Sequence, residues 1–236
     1  MIFDPLYLIV IGIGAAISIG ASMLVKSTFA RYTQVSSRQG ITGAQIAQRI
    51  LQDSDIHDVT IEPISGSLTD HYDPISKTLR LSEDVYGSSS LAACGVAAHE
   101  VGHAIQHAQN YAPLKFRSAW VPVASMGGNI SIVIIFLAFM LGGIGSTLGG
   151  MVAIIGVGLF ATTTVFTAIT LPVEFDASKR ALRCLEHGGY LSNEELGGAK
   201  KVLDAAALTY VAAFLSSLLT LLYWAYRLGL IGGRRN

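Results

Sequence analysis

Leu6 to Val25 is a stretch of twenty residues without a charged side chain. At 1.5 Å per residue, a helix of that length crosses the roughly 30 Å hydrocarbon core of a bilayer. Three more uncharged apolar runs follow, Trp120 to Leu141, Leu148 to Leu171 and Ala205 to Tyr226. Lipid offers no partner to a backbone N–H or C=O, so each run is expected as a helix that satisfies its own backbone. Composition agrees: 51% of the chain is hydrophobic and only 14% charged, well under the share of about 25% in a soluble domain. Net charge is zero, which leaves nucleic-acid binding without electrostatic support.

Charge placement sets an expected orientation. Asp4 is the sole charged side chain before the first run, whereas Lys26, Arg31 and Arg38 follow it. That order reads as an uncleaved anchor with the N-terminus outside and the next segment in the cytoplasm. The second run is broken in sequence by Pro122, Gly127-Gly128 and Asn129. It joins the third through the uncharged Gly142–Thr147 stretch, as a membrane hairpin. Residues 26–118 and 172–204 hold eight and five of the sixteen Lys and Arg residues, so both are expected on the cytoplasmic face. Arg227, Arg234 and Arg235 run against this: either the last run stops short of crossing, or the tail is an exception to the rule. Cys94 and Cys184 lack CxxC or zinc-ribbon spacing and read as buried thiols in a reducing compartment.

Between the first two runs the chain is more polar. Thr42 is a candidate N-cap for a short helix with Ala44, Ile46, Ala47, Ile50 and Leu51 at helical spacing. Val59 to Glu62, stopped by Pro63, and Lys77 to Leu81 read as two strands, with Gly66 to Pro74 as a turn-rich loop between them. Such a strand pair offers an edge to an extended peptide. Ser88 to Ser90 lead into a helix from Leu91 to about Gln109. After the third run, Pro172 precedes a polar helix over Val173–Leu182, which His187-Gly188-Gly189 should end. Ser192 and Glu195 form a candidate capping box for a helix leading into the fourth run.

The Leu91 helix carries His99-Glu100-Val101-Gly102-His103. Histidines four apart lie one turn above each other on one helix face and can bind one zinc ion. The intervening Glu100 then stands where it can take a proton from zinc-bound water. The flanks Val96–Ala98 and Ala104-Ile105 are small or apolar, Gly102 permits close packing, and a surface helix would carry more charge.

A catalytic zinc needs a third protein ligand and an open position. Gln109 stands where a metzincin would have its third histidine, which excludes that class, and the spacing disfavours His107, which is expected to bond locally or to headgroups. Glu174 is the better candidate, on a second helix just after an apolar run; spacing alone weighs this evenly against a first-turn glutamate favoured by the helix dipole.

Three stretches taken together resemble the YugP family of bacterial membrane-bound neutral zinc metallopeptidases: Leu68–Pro74 (Leu-Thr-Asp-His-Tyr-Asp-Pro), His99–Gln106 and Leu171–Ser178. The resemblance runs along nearly the whole chain and extends distantly to the HtpX and CAAX prenyl protease group. It implies a zinc peptidase with His99, His103 and Glu174 as gluzincin-like ligands and Glu100 as general base. In that wider group an Asp four residues after the ligand Glu orients a zinc-bound histidine. Here Ser178 stands at that position, so the Asp does not carry over; Asp176, Asp70 and Asp73 are the substitutes on hand. His71 or Tyr72 is a candidate oxyanion donor, or simply braces its loop.

The expected fold is a mainly α membrane protein with about four transmembrane helices and a small α+β zincin-like cytosolic portion containing the HExxH helix. The expected divisions are an anchor over 1–26, the zincin-like segment 27–118, the hairpin 119–171, a third-ligand segment 172–204, and a hydrophobic helix with its tail over 205–236. The expected function is a zinc metalloendopeptidase of the bacterial plasma membrane, with its active site on the cytoplasmic side and the lipid bilayer and a peptide or protein as partners. The alternative is a zinc-stabilised membrane scaffold or chaperone-like partner without protease activity. A site-2-type intramembrane protease is disfavoured, because the second and third runs contain no Asp or Glu. Gly-rich spans favour helix association, which leaves a homo-oligomer open.

Overall fold

The computed structural model describes residues 4–231 and is mainly helical. Arg234 and Arg235, which entered the expected orientation of the tail, lie outside the described residues. In chain order the elements are α1 (Pro5–Thr33), α2 (Gly43–Asp53), β1 (Thr60–Ile64), β2 (His71–Asp73), β3 (Thr78–Ser82), α3 (Glu83–Tyr86), α4 (Leu91–Ala108), α5 (Ala112–Met140), α6 (Thr147–His187) and α7 (Asn193–Arg227). Helices α1, α5, α6 and α7 are each long and apolar enough to cross a membrane, the last run included. The chain divides into two compact units: Met1–Gly20 with Phe116–Leu171 and Tyr210–Asn236, and Ala21–Lys115 with Pro172–Thr209.

The first unit is apolar on its outside, where Ile9, Ile132, Met140 and Ile155 are exposed. Its interior is built from small residues, hydroxyls and a few aromatics. A Cβ added to Gly127 would stand 2.2 Å from Thr162 Oγ1 and 2.8 Å from the Leu159 carbonyl, so α5 and α6 touch through backbone. Trp120 Nε1 donates to the Thr162 carbonyl at 3.0 Å, and the hydroxyls of Thr167 and Ser217 are 3.0 Å apart. Tyr7, Tyr223 and Trp224 cluster around Ile135 and Val157. Pro122 and Gly127-Gly128 read as interruptions in the sequence, yet α5 runs through all of them. An apolar helix has no water to bond a broken backbone, so continuity is the cheaper state.

The second unit has a conventional apolar core. Thr42 caps α2, accepting from the Gln45 N–H while Gln45 reaches back to the Thr42 N–H, a full capping box. Ile46, Ala47, Ile50 and Leu51 of α2 are buried with Leu79 and Leu81 of β3 and with Ala97, Ala98 and Val101 of α4. The sheet has the order β1-β3-β2, with β1 parallel and β2 antiparallel to β3. Two strand expectations change here. β1 continues through Pro63 to Ile64, which an edge strand paired on one side tolerates because the missing N–H faces away from the ladder. The loop Gly66–Pro74 contains a third strand, β2, antiparallel to β3 on the side away from β1, so the two longer strands lie side by side in parallel.

One helix expectation changes as well. Residues 173–182 do not begin a separate helix; α6 runs from Thr147 through Pro172 to His187. Val173 and Ala177 are fully buried just beyond the proline, and that packing offsets the lost backbone bond. Gly189, in the left-handed region, follows the helix end. Ser192 and Glu195 then make the capping box that opens α7, and the second oxygen of Glu195 accepts from the Arg38 N–H at 2.6 Å.

Candidate metal centre

Ser90 starts α4 by accepting from the Ala93 N–H, and nearly every position of the helix is buried. Its side chains are small where neighbours approach. A Cβ on Gly95 would meet Ala199 of α7 at 3.4 Å, whereas one on Gly102 would stand 2.5 Å from the Ala177 carbonyl of α6. Only glycine admits that second approach without moving a backbone. The contact fixes α6 against the His99–His103 face of α4, and Glu174, about one turn before Ala177, falls opposite both imidazoles.

Glu174 Oε2 is 3.3 Å from His99 Nε2 and 3.6 Å from His103 Nε2. The two rings stand edge to face with centroids 4.8 Å apart, and one ligand atom from each of the three residues lies within 4.8 Å of the others. Zinc holds nitrogen and oxygen ligands at roughly 2.0–2.2 Å in tetrahedral sites, which separates neighbouring ligand atoms by about 3.3–3.6 Å. The observed His–Glu separations match the edges of such a tetrahedron. Glu174 is 3% exposed, too deep for a solvated surface carboxylate.

The atoms behind the histidines make the case stronger. Gln106 is fully buried, and its Nε2 donates to the Val173 carbonyl at 2.8 Å and to Asp176 Oδ2 at 2.9 Å. A carbonyl only accepts, so the amide is fixed with Oε1 toward His103 Nδ1, 3.0 Å away. His103 therefore carries a proton on Nδ1 and turns Nε2 toward Glu174. Nε2 and the Glu174 carboxylate oxygen, 3.6 Å apart in a buried site, are stable together when positive charge lies between them, either a proton on the ring or a bound cation. His99 Nδ1 is bonded to Ser178 Oγ at 3.1 Å, so each ring is held from behind with Nε2 forward. Burial opposes a charged His103, but the nearby carboxylates of Glu174 and Glu100 outweigh it and raise its pKa above the ordinary value. The field here favours positive charge.

Glu100 is 8% exposed, and none of the described residues hydrogen-bonds its carboxylate. A buried carboxylate close enough to raise the His103 pKa stands where a base that works on water is needed.

The remaining sequence candidates fall elsewhere. Asp176 touches neither histidine directly; it acts on His103 through Gln106 and also accepts from Arg180 Nε at 2.5 Å. Asp70 binds the Ser82 N–H and hydroxyl, and Asp73 closes the turn into β3 through Ile75 and Ser76. His71 is exposed, with Nδ1 2.8 Å from the Thr69 carbonyl. Tyr72 and His107 are bonded to each other, with the Tyr72 oxygen 2.9 Å from His107 Nδ1. Gln109, at the metzincin position, instead accepts from Arg180. Gln106 and Ser178 are the residues that sequence reasoning missed. Both carried a signal: Gln106 lies three residues after His103, and Ser178 four after Glu174, each on the helix face of a candidate ligand.

A family model described as "Putative neutral zinc metallopeptidase" matches residues 7–229. The "Putative membrane protease YugP" of Bacillus subtilis (strain 168) is 45% identical over 206 residues, which cover 87% of this chain and 89% of that protein. No solved structure matches the chain with significance.

Proposed function

The chain belongs to this neutral zinc metallopeptidase family, and from that premise we propose that it is a membrane-bound zinc endopeptidase with a gluzincin-like His-His-Glu site in a zincin-like unit. The observation that carries the reading is the convergence of His99 Nε2, His103 Nε2 and Glu174 Oε2 at tetrahedral-edge distances beside the buried Glu100. His99, His103 and Glu174 would hold the ion. When bound, zinc supplies Lewis-acid polarisation of the scissile carbonyl and a more acidic water.

The chain's own residues do the rest. Gln106 keeps a proton on His103 Nδ1, and Ser178 holds the His99 ring in the orientation that points its Nε2 inward. Glu100 accepts the proton of the attacking water and returns it to the leaving amine, a role that general acid–base catalysis values at about 10²–10⁴ in rate. The outer edge of β2, unpaired among the described residues, is suited to an extended peptide bound through its backbone. The basic residues of 26–118 and 172–204 favour a cytoplasmic site on a bacterial plasma membrane.

The test is Glu100→Gln in detergent-purified protein, with zinc content and cleavage of an unlabelled peptide mixture read by mass spectrometry. The expected result is a full complement of zinc with cleavage down about a hundredfold or more. Undiminished cleavage overturns the assignment. Function that survives Glu100→Gln yet fails on zinc removal would turn the reading toward a zinc-stabilised scaffold.

A further inference from the structure

The Leu68–Pro74 stretch contributes none of the converging donors, yet its geometry is heavily determined. Asp70 accepts from the Ser82 N–H at 2.7 Å and from its hydroxyl at 3.0 Å, which ties the loop to the end of β3. Asp73 accepts from the Ile75 N–H and the Ser76 hydroxyl, which fixes the turn. Between these two clamps β2 sends Tyr72 across to α4, where its ring meets that of His107 at a centroid distance of 5.9 Å. His107 is one helical turn beyond His103 on the same face, roughly 6 Å along the helix axis.

Tyr72 and His107 line a cavity of about 370 Å³ together with Ile56, Val59 and Ala104, the last adjacent to His103 in sequence. The volume falls within the range of about 300–1,000 Å³ usual for ligand pockets. Asp58 and Lys77 also line it, salt-bridged to each other, so a charged guest would have to take one of them from its partner. Burial, assisted by the Asp58 and Asp73 carboxylates, pushes the Tyr72 phenol up to about 12, so it keeps its proton at neutral pH. A charged guest side chain would lose hydration and gain a counter-charge only by breaking the Asp58–Lys77 pair. A large uncharged one would pack against Ile56, Val59, Ala104 and two rings, with the Asn110 amide at the rim. An extended peptide repeats side chains on one face about every 6.5–7 Å, close to one helical turn, so a chain cut at His99–His103 brings a side chain to this cavity within two residues.

Resting on the peptidase reading above, we propose that this cavity is a specificity pocket for a large uncharged, preferably aromatic, substrate side chain within two residues of the scissile bond. Tyr72 and His107 form its floor, and the Leu68–Pro74 stretch is the device that holds that floor in place.

The test is cleavage-site profiling on a peptide library with wild type, Ala108→Leu and Tyr72→Phe, alongside zinc content. Ala108 lines the cavity, is exposed and ends α4, so leucine fills the opening while remaining a good helix former. The expected wild-type profile shows enrichment of aromatic residues and depletion of Asp, Glu and Lys at one position near the cut. In Ala108→Leu that enrichment falls about tenfold in kcat/KM, with the preference moving to small residues and zinc unchanged. Tyr72→Phe shifts the balance among tyrosine, phenylalanine and leucine at the same position, through KM rather than zinc content. A wild type that cleaves, with both variants leaving the profile unmoved, overturns the pocket alone. A zinc-loaded wild type that cleaves nothing overturns the pocket and the peptidase reading together.

Discussion

The two units of this chain solve opposite packing problems with the same twenty side chains. In the unit containing residues 116–171, most large apolar groups face outward and the interior is glycine, alanine, threonine, serine and a few aromatics around Ile135 and Val157. In the unit containing α4 and the sheet, apolar side chains are inside and the buried polar groups concentrate around Glu174. The difference teaches where a polar group is worth most. A hydroxyl between two apolar helices earns little, since alternative partners exist in the unfolded helix as well. The amide of Gln106 makes three bonds at once in a water-poor core and sets the tautomer of a neighbour.

Charge on the surface should separate the units most sharply. Ile132, 67% exposed in the middle of α5, would cost about 2.5–3.5 kcal/mol of insertion free energy as Ile132→Lys if lipid surrounds it. Ile75, 95% exposed at the turn before β3, should tolerate Ile75→Lys within about 0.5 kcal/mol. Membrane extraction and thermal unfolding of the two variants measure the contrast; equal effects would erase it.

Next in size is Gln106→Leu, which keeps the volume but removes the acceptor at His103 Nδ1 and the donors to Val173 and Asp176. Zinc affinity is expected to fall about 10- to 100-fold in a chelator competition. Unchanged affinity would mean the amide merely fills space. Gly102→Ala comes third: its methyl meets the Ala177 carbonyl at 2.5 Å, so α4 and α6 must separate, with a stability cost of about 1–3 kcal/mol and weaker zinc binding. Stability that rises, as alanine's helix propensity alone would give, would deny the close approach. The smallest effect belongs to Thr167→Val, whose lost bond to Ser217 should cost about 0.6 kcal/mol by unfolding in detergent.

Much of this was legible in the chain. Twenty-residue uncharged runs leave helix as the main option, and four candidate spans appear where four runs stand. Thr42 and the Ser192–Glu195 pair announced helix starts because capping is local chemistry written within four residues. What escaped depends on distant neighbours. Pro172 argued for a helix boundary, but burial of Val173 and Ala177 carries α6 through it. β2 is three residues long inside a turn-rich loop, and only β3 beside it makes it a strand. At the site, the histidine spacing was readable, whereas the partners behind each ring were not. Ser178 stands where related enzymes were expected to use an aspartate, and Asp176 reaches His103 only through Gln106.

The most direct test of the metal centre is zinc stoichiometry and affinity in detergent-purified wild type and Glu174→Ala, measured by elemental analysis and chelator competition. One zinc per wild-type chain, with Glu174→Ala losing the ion or binding it far more weakly, is the predicted result. A Glu174→Ala protein that retains one zinc at wild-type affinity would contradict it and move the third ligand elsewhere.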